Sequence, residues 1–138
     1  MQYLYCKGLL QKKAPFSSIC KILDYGCGRG YDVFYFGATL WVDGYDPCWD
    51  VWSILPKEKY DVITCNYVLN VVTKEVEIEI IKAIKGLLKD GGKAYFTVRR
   101  DIKKDYPVRD YVQRVVRLDL PSLYHCKGKF EIYTLDKN

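Results

Sequence analysis

The fold of this chain is decided by residues 22–32, which read Ile22-Leu23-Asp24-Tyr25-Gly26-Cys27-Gly28-Arg29-Gly30-Tyr31-Asp32. The stretch begins as a short apolar run that ends on the carboxylate of Asp24, and three alternating glycines follow. The apolar run predicts a buried strand, and the glycines permit a tight turn at which the backbone approaches a ligand closely. The turn is therefore a candidate ligand-binding loop.

The spacing of the glycines disfavours two kinds of phosphate site. A phosphate loop requires G-x-x-x-x-G-K-[ST], and no Lys-Ser or Lys-Thr pair follows these glycines. A dinucleotide-binding loop requires G-x-G-x-x-G, but the glycine due at position 31 comes one residue early, at Gly30. A nicotinamide-dependent oxidoreductase, which would bind NAD, stays as a rival hypothesis.

The motif from Asp24 to Gly30 resembles motif I of the class I S-adenosylmethionine-dependent methyltransferases. This resemblance implies a Rossmann-like α/β sheet and S-adenosylmethionine as the cofactor. It also implies that the loop wraps the methionine end of the cofactor and that Asp24 orients the ammonium group. The loop residues with this implied role are Gly26, Cys27, Gly28 and Gly30.

Residues 40–47 predict a second strand, which ends on Asp46 and Pro47 about 20 residues after the loop, the register of an acid that binds ribose. A carboxylate has two acceptor oxygens and can bind both hydroxyls of a ribose. Asp46 is therefore a candidate for holding a nucleoside, of either the methyltransferase or the dinucleotide type. The alternative is a turn acid that precedes a proline.

The connection after this strand departs from the family pattern. Residues 48–59 are too few for the helix, strand and helix that a complete methyltransferase sheet has there, so we predict that the third strand is missing. Its end usually provides the polar contact to the adenine amino group. Apolar side chains of this connection would cover the base instead, or would be core; they are Trp49, Val51, Trp52, Ile54 and Leu55.

The next strand, Tyr60–Asn66, is predicted to lie beside the first and resembles motif IV of the family. Ligands of open parallel sheets lie at the carboxyl ends of the strands. We therefore expect Asn66 and Tyr67 to face the transferred methyl group. Methyltransferases that act on base amino groups have N-P-P-Y or D-P-P-Y here, and this chain lacks the prolines, so the acceptor class stays open.

Two further elements complete the parallel part of the predicted sheet. Residues 73–89 predict a helix that is capped by Thr73 and stopped by Asp90-Gly91-Gly92. Residues 93–99 predict a strand, and Arg99 and Arg100 at its carboxyl end are candidates for binding a phosphate or carboxylate of the acceptor. Asp101 and Tyr67 are candidates for proton handling.

The carboxy-terminal part predicts an antiparallel hairpin formed by residues 112–118 and 130–135. With this ending, nearly the whole chain from Ile22 is similar to a compact bacterial and phage group, the methyltransferase-like proteins that accompany DNA phosphorothioation systems. The segments that carry this similarity are residues 24–30, 44–47, 65–70, 98–101, 118–121 and 130–133.

Residues 99–117 form a basic segment, with seven bases against three acids. A basic face of this kind would bind nucleic acid or another polyanion, and an ordinary solvated surface is the alternative. The six cysteines contain no C-x-x-C pair, which predicts reduced thiols and no metal site.

The length of 138 residues predicts one domain, with a core over 22–135 and a helix or a lid in residues 1–18. No stretch reaches the roughly 20 apolar residues of a membrane span, and we expect a cytoplasmic protein without membrane contact. The function predicted is S-adenosylmethionine-dependent methyl transfer to a nucleic acid or a small anionic substrate. The alternative is an S-adenosylmethionine-binding protein without transferase activity, either a lyase or a regulatory module.

Overall fold

The structure is a computed structural model that describes residues 1–11 and 19–138. Its helices are α1 (Gln2–Cys6), α2 (Tyr31–Gly37) and α3 (Lys74–Leu87). Its strands are β1 (Lys21–Tyr25), β2 (Trp41–Tyr45), β3 (Tyr60–Asn66), β4 (Leu88–Arg99), β5 (Tyr106–Val108), β6 (Tyr111–Gln113), β7 (Ser122–Cys126) and β8 (Phe130–Asp136). Six of these strands form one sheet in the order β2-β1-β3-β4-β8-β7, and β5 pairs with β6 separately.

The main sheet is parallel at one end and antiparallel at the other. Strand β1 pairs in parallel with β2 and β3, and β3 pairs in parallel with β4. Strand β8 then pairs antiparallel with β4, and β7 pairs antiparallel with β8. The predicted α/β sheet with a closing antiparallel hairpin is confirmed. Strand β1 lies between β2, which follows it in the chain, and β3, which follows β2. The strand order therefore reverses at β1, and the carboxyl end of β1 is a switch point.

The sheet lacks the third strand of a complete methyltransferase sheet, as predicted. Between β2 and β3 the chain contains a short 3₁₀ turn, Asp50–Trp52, and irregular segments. In the described part of the chain, no strand lies outside β2. Strand β2 is therefore an edge of the sheet.

The boundary between α3 and β4 differs from the prediction. Thr73 caps α3 as predicted, since its hydroxyl oxygen accepts the Val76 N–H at 3.3 Å. The helix ends at Leu87, and the fully buried Leu88 already pairs with Tyr60 as the first residue of β4. The prediction that residues 90–92 stop the helix and that the strand begins at Lys93 is wrong, because burial of Leu88 in the core outweighs continuation of the helix.

The first strand of the closing hairpin is also placed differently. Strand β8 pairs with Ser122–Cys126 rather than with the predicted residues 112–118. In residues 112–118 the buried side chains of Gln113 and Val116 pack under the turn after β3, and the Arg114 N–H donates to the Asn70 carbonyl at 2.7 Å. Strand β7 is mostly exposed, so its sequence carries no apolar alternation that could identify it.

The two faces of the sheet carry separate apolar clusters because neighbouring residues of a strand point to opposite faces. On one face, Leu23 and Ile63 lie in a cluster with Ile84 of α3. On the other face, Ile22 and Val62 lie in a cluster with the fully buried Leu4 and Leu10. Each of these two leucines contributes roughly 1.5–3 kcal/mol when it is buried.

Helix α1 thus packs on the sheet, and Tyr3 stacks on Tyr124 of β7 with ring centroids 4.3 Å apart. The predicted end of the amino-terminal helix at Ala14-Pro15 lies outside the described residues. No helix in the described part of the chain is both long and apolar enough to cross a membrane.

Candidate cofactor and acceptor site

The loop after β1 needs glycines because its backbone adopts positive φ angles and because neighbouring side chains approach it closely. Gly26, Gly28 and Gly30 have φ values of +81°, +56° and +82°, in the left-handed region that side chains disfavour. A Cβ on Gly26 would lie 2.3 Å from Cγ2 of Val68, and one on Gly30 would lie 2.6 Å from the ring of Trp52. The loop therefore packs tightly at its two ends, while the position of a Cβ on Gly28 is open.

The end of β2 holds this loop in place. The carbonyl oxygen of Tyr45 accepts the N–H groups of Gly26 and Cys27 at 2.7 and 3.1 Å. The Asp46 carboxylate accepts the Gly28 N–H at 2.8 Å and the Cys48 N–H at 2.9 Å, one on each oxygen. Each oxygen has a second lone pair, so Asp46 keeps acceptor capacity for a ligand while it holds both turns.

Asp24 is a buried acid at the base of the loop. Its side chain accepts the Thr64 hydroxyl at 3.0 Å, and the residue is only 4% exposed. Burial raises the pKa of Asp24 to about 6. Burial and the nearby Asp24 and Asp46 raise the pKa of the Cys27 thiol to about 12, so this cysteine is a neutral thiol near neutral pH.

The candidate cofactor pocket, called the cofactor pocket below, is a cavity of about 630 Å³ at the carboxyl ends of β1, β2 and β3. It brings together Gly26, Asp46, Pro47, Asn66 and Tyr67, which come from three separate parts of the sequence. This volume lies within the usual range for small-molecule sites.

Asn66 lines this pocket and has an unpaired side-chain donor. Its side-chain oxygen accepts the Thr97 hydroxyl at 2.8 Å. Its side-chain nitrogen is buried and has no hydrogen-bond partner among the described residues. An unpaired buried donor costs roughly 1–3 kcal/mol.

Tyr67 follows Asn66 in a strained conformation. Its φ is +62°, its backbone N–H donates to the Thr97 carbonyl at 2.8 Å, and the residue is 46% exposed. Burial and the nearby Asp101 raise the pKa of its phenol, so Tyr67 is a protonated phenol at neutral pH rather than a base. Arg99 lowers the pKa of Asp101, which is therefore ionised.

Arg99 and Arg100 have different surroundings. Arg99 binds Asp101 through two parallel bonds, from Nε at 2.8 Å and from Nη2 at 2.6 Å, and both residues line a second cavity that also includes Tyr67. The Arg100 side chain is 6% exposed and donates to Glu131 at 2.9 Å and to the Tyr133 hydroxyl at 2.8 Å. Arg100, predicted as a substrate ligand beside Arg99, therefore does not line this second cavity. Its side chain instead links the end of β4 to β8.

The family model described as "Methyltransferase domain" matches residues 1–134. This chain is a member of that methyltransferase family. The predicted resemblance to the class I methyltransferases is thereby confirmed at the level of the family. The narrower similarity to proteins of DNA phosphorothioation systems stays a prediction.

Several solved structures resemble this methyltransferase domain in fold. TehB from Haemophilus influenzae is 18% identical with a TM-score of 0.64, and the match covers 88% of this chain and 59% of that chain. An S-adenosylmethionine-dependent methyltransferase from Mesorhizobium loti is 10% identical with a TM-score of 0.66, covering 99% and 97%. The 1,6-didemethyltoxoflavin-N1-methyltransferase from Burkholderia thailandensis is 16% identical with a TM-score of 0.65, covering 86% and 71%. No curated protein sequence matches the chain significantly.

The apolar wall of the cofactor pocket comes from residues that the sequence did not single out. Val68, Val71 and Val72 in the turn after β3, with Val76 and Ile80 of α3, line the cavity of the methyltransferase domain. The apolar periodicity of residues 73–89, which predicts the helix, is the signal for Val76 and Ile80, and no role at the site was predicted for Val68, Val71 or Val72.

The tryptophans expected over the adenine do not line this pocket. Trp52 packs behind the loop against Gly30 and Gly44, with its ring centroid 5.7 Å from that of Phe34. Trp49 is exposed and lies under the guanidinium of Arg29 at 5.4 Å. Val51, Ile54 and Leu55 are exposed as well.

The basic segment of the methyltransferase domain is partly neutralised. Three of its bases form ion pairs with acids, namely Arg99 with Asp101, Arg100 with Glu131 and Arg114 with Glu77. Two of these acids lie outside residues 99–117, so counting charges within the segment overstates its positive charge. Among the described residues, no group of three or more metal-ligating side chains could hold a metal ion.

Proposed function

We propose that this chain is an S-adenosylmethionine-dependent methyltransferase whose 1–138 region acts as one domain. The observation that carries the proposal is the convergence in one cavity of three residues, Gly26 from the glycine loop, Asp46 from the end of β2 and Asn66 from the end of β3. The Burkholderia structure, whose fold is similar, contains S-adenosylhomocysteine and supports the same cofactor class.

The residues present fit this cofactor. Left-handed backbone at Gly26 and Gly28 lets the methionyl part approach the loop with Cys27 and Gly30, and Asp24 lies at the base of the loop to balance an ammonium group. The remaining acceptor capacity of Asp46 suits two ribose hydroxyls.

The apolar part of the same cavity suits the base. Pro47 and Val68 line the cavity beside Asp46, and Asn66 lines it as well. The missing third strand therefore does not leave the adenine without a pocket.

The reaction places few demands on the protein. When bound, S-adenosylmethionine supplies an electrophilic methyl group on a sulfonium, which is a good leaving group. The residues of this chain therefore align the acceptor and exclude water, which is worth several kcal/mol. Asn66 and Tyr67 border the reacting centre, Asp101 is the candidate proton acceptor, and Arg99 is the candidate ligand of the acceptor.

The proposal is tested by calorimetry with S-adenosylhomocysteine. Asp46→Ala removes hydrogen bonds to a charged group, each worth roughly 1.5–3 kcal/mol, so affinity should fall at least about tenfold. Asp50→Ala, which changes an exposed acid in the same connection, should leave affinity within about twofold. Unchanged affinity in Asp46→Ala would count against the assigned pocket.

A second assay separates transfer from other uses of the cofactor. The protein is incubated with methyl-labelled S-adenosylmethionine together with DNA, RNA or small anionic acceptors. Label on an acceptor with release of adenosylhomocysteine supports methyl transfer. Formation of methylthioadenosine would instead indicate a lyase. If adenosylhomocysteine produces no heat and no melting shift, cofactor binding is refuted altogether.

A further inference from the structure

A second cavity, the rim pocket, shares one wall residue with the cofactor pocket. It has a volume of about 410 Å³, and both cavities include Tyr67. The rim pocket is lined by Tyr67, Arg99, Asp101, Gly128, Lys129 and Phe130. It therefore lies where a compound could contact Tyr67 from outside the cofactor pocket.

The walls of the rim pocket are fixed by the backbone. The Arg99 N–H donates to the side-chain oxygen of the fully buried Asn70 at 2.9 Å. Arg99 pairs with Phe130 across β4 and β8, and the Arg100 N–H donates to the Lys129 carbonyl at 2.9 Å. The turn between β7 and β8 is thus held against the carboxyl end of β4, and the cavity is formed before any ligand binds.

The lining combines aromatic rings with an excess of positive charge. Tyr67 and Phe130 provide aromatic surface, and Arg99 and Lys129 provide two cations against the single carboxylate of Asp101. Asp101 occupies only the Nε and Nη2 side of the Arg99 guanidinium, and it holds that group in a fixed plane. The Tyr106 hydroxyl also interacts with this guanidinium, which has five N–H donors in all, so donors remain for an anion.

We propose that the rim pocket binds the methyl acceptor and that this acceptor is a small aromatic compound with an anionic group. The ring packs against Tyr67 and Phe130, and the anion binds Lys129 and Arg99. A cavity of about 410 Å³ is large enough for a compound of one or two rings. The acceptor role rests on the proposed methyl transfer, whereas the binding of an aromatic anion does not.

The binding is tested by NMR titration of the cofactor-free protein with benzoate and phenyl phosphate at millimolar concentration. Both should shift resonances of Tyr67, Lys129 and Phe130. Benzamide, which has the ring without the charge, and acetate, which has the charge without the ring, should each bind at least about fivefold more weakly.

Matched variants locate the contacts. Lys129→Gln should weaken benzoate binding about fivefold, whereas Lys127→Gln, at an exposed lysine of the same turn outside the lining, should change it less than twofold. Tyr67→Asn removes the ring but tolerates positive φ, and it should weaken binding at least about fivefold.

The outcomes separate this inference from the proposed function. Saturation with S-adenosylhomocysteine should leave benzoate binding in place, because the two ligands occupy different cavities. Displacement of benzoate by adenosylhomocysteine, absence of binding by both aromatic anions, or equal loss in Lys127→Gln and Lys129→Gln would overturn the inference. A single-stranded oligonucleotide that binds through Lys129 when the aromatic anions do not would also overturn it. Normal adenosylhomocysteine binding beside any of these results would leave the proposed function standing.

Discussion

Asp24 links the stability of the protein to pH. Because burial raises its pKa from 3.8 to about 6, the folded protein holds this proton more tightly than the unfolded chain does between those values. Folding stability therefore falls as the pH rises from about 4 to about 6, and the loss persists at higher pH. The two pKa values correspond to a loss of roughly 3 kcal/mol at most.

Asp24→Asn keeps an oxygen that can accept the Thr64 hydroxyl but removes the titration. We expect the variant to gain stability relative to the unchanged protein as the pH rises from 4 to 7, by up to roughly 3 kcal/mol. Urea unfolding at both pH values measures this difference. Asp50→Asn, at an exposed acid, is the control, and a difference that does not depend on pH for Asp24→Asn would contradict the expectation.

The glycines of the loop differ in how much stability the protein should lose when each is replaced by alanine. Gly26→Ala should cost about 2–4 kcal/mol, because the added Cβ combines positive φ with the contact to Val68 at 2.3 Å. Gly28→Ala should cost only about 1 kcal/mol, since its Cβ position is open. Denaturant unfolding measures both. The double variant Gly26→Ala with Val68→Ala should lose less stability than the sum of its single variants, and strict additivity would refute the proposed clash.

Particular residues show which positions at the candidate site could be predicted from the sequence and which could not. Asp46 and Asn66 were predictable because each ends a strand that is recognisable by its apolar run, and parallel strands bring their carboxyl ends together. The burial of Arg100 was not, because its partner Glu131 lies on a strand paired antiparallel to β4. Local sequence around an arginine does not reveal a partner that is 31 residues away.

At the scale of elements, Arg114 forms a partly buried ion pair with Glu77 of α3 and also binds the turn after β3. Arg114 donates to Glu77 at 3.2 Å and to the Val72 carbonyl at 2.6 Å, and Glu77 also binds Lys74. Glu77 is fully buried in α3, and Val72 lines the cofactor pocket. The pair therefore connects residues 111–117 to the element that carries the apolar wall of the site.

Arg114→Met should destabilise the protein by about 3–5 kcal/mol, because it leaves the Glu77 carboxylate buried with only Lys74 as a charged partner. The double variant with Glu77→Met should recover part of this loss, since no buried charge then remains. Thermal and urea unfolding measure both effects. Glu75→Gln, at an exposed acid of the same helical turn, should cost less than about 0.5 kcal/mol, and an equal cost for Glu75→Gln and Arg114→Met would refute the importance of the pair.

The elements that sequence reasoning misplaced are those whose position depends on distant contacts. Thr73 marked the start of α3 because a cap acts on its own turn. The end of α3 depends on the pairing of Leu88 with Tyr60, and the first strand of the hairpin depends on pairing with β8. Residues 112–118 contain apolar side chains that contact the turn after β3, and so they resembled a strand.

At the scale of the whole molecule, the two apolar clusters share the strands of one sheet. Leu23 and Ile22 are neighbours in β1, yet they belong to clusters on opposite faces. Loss of one cluster exposes strands on which the other depends. We therefore expect the two faces to unfold together.

This cooperativity is testable because all three tryptophans lie between Trp41 and Trp52, at the β2 edge of the sheet. Tryptophan fluorescence reports that edge, while far-UV circular dichroism reports the whole backbone. The midpoints of the urea unfolding curves from the two signals should agree within error. Two separated transitions would contradict the proposal that residues 1–138 form one domain.

The double attachment of Asp46 has a consequence for the speed of ligand capture. Because this carboxylate already joins the loop after β1 to the turn after β2, ligand entry does not have to order either segment. The entropic cost of folding a flexible loop around an incoming nucleoside is thereby largely met when the protein itself folds. Association should accordingly be a single fast step whose rate rises in proportion to ligand concentration, without the plateau that a slow opening or closing motion imposes.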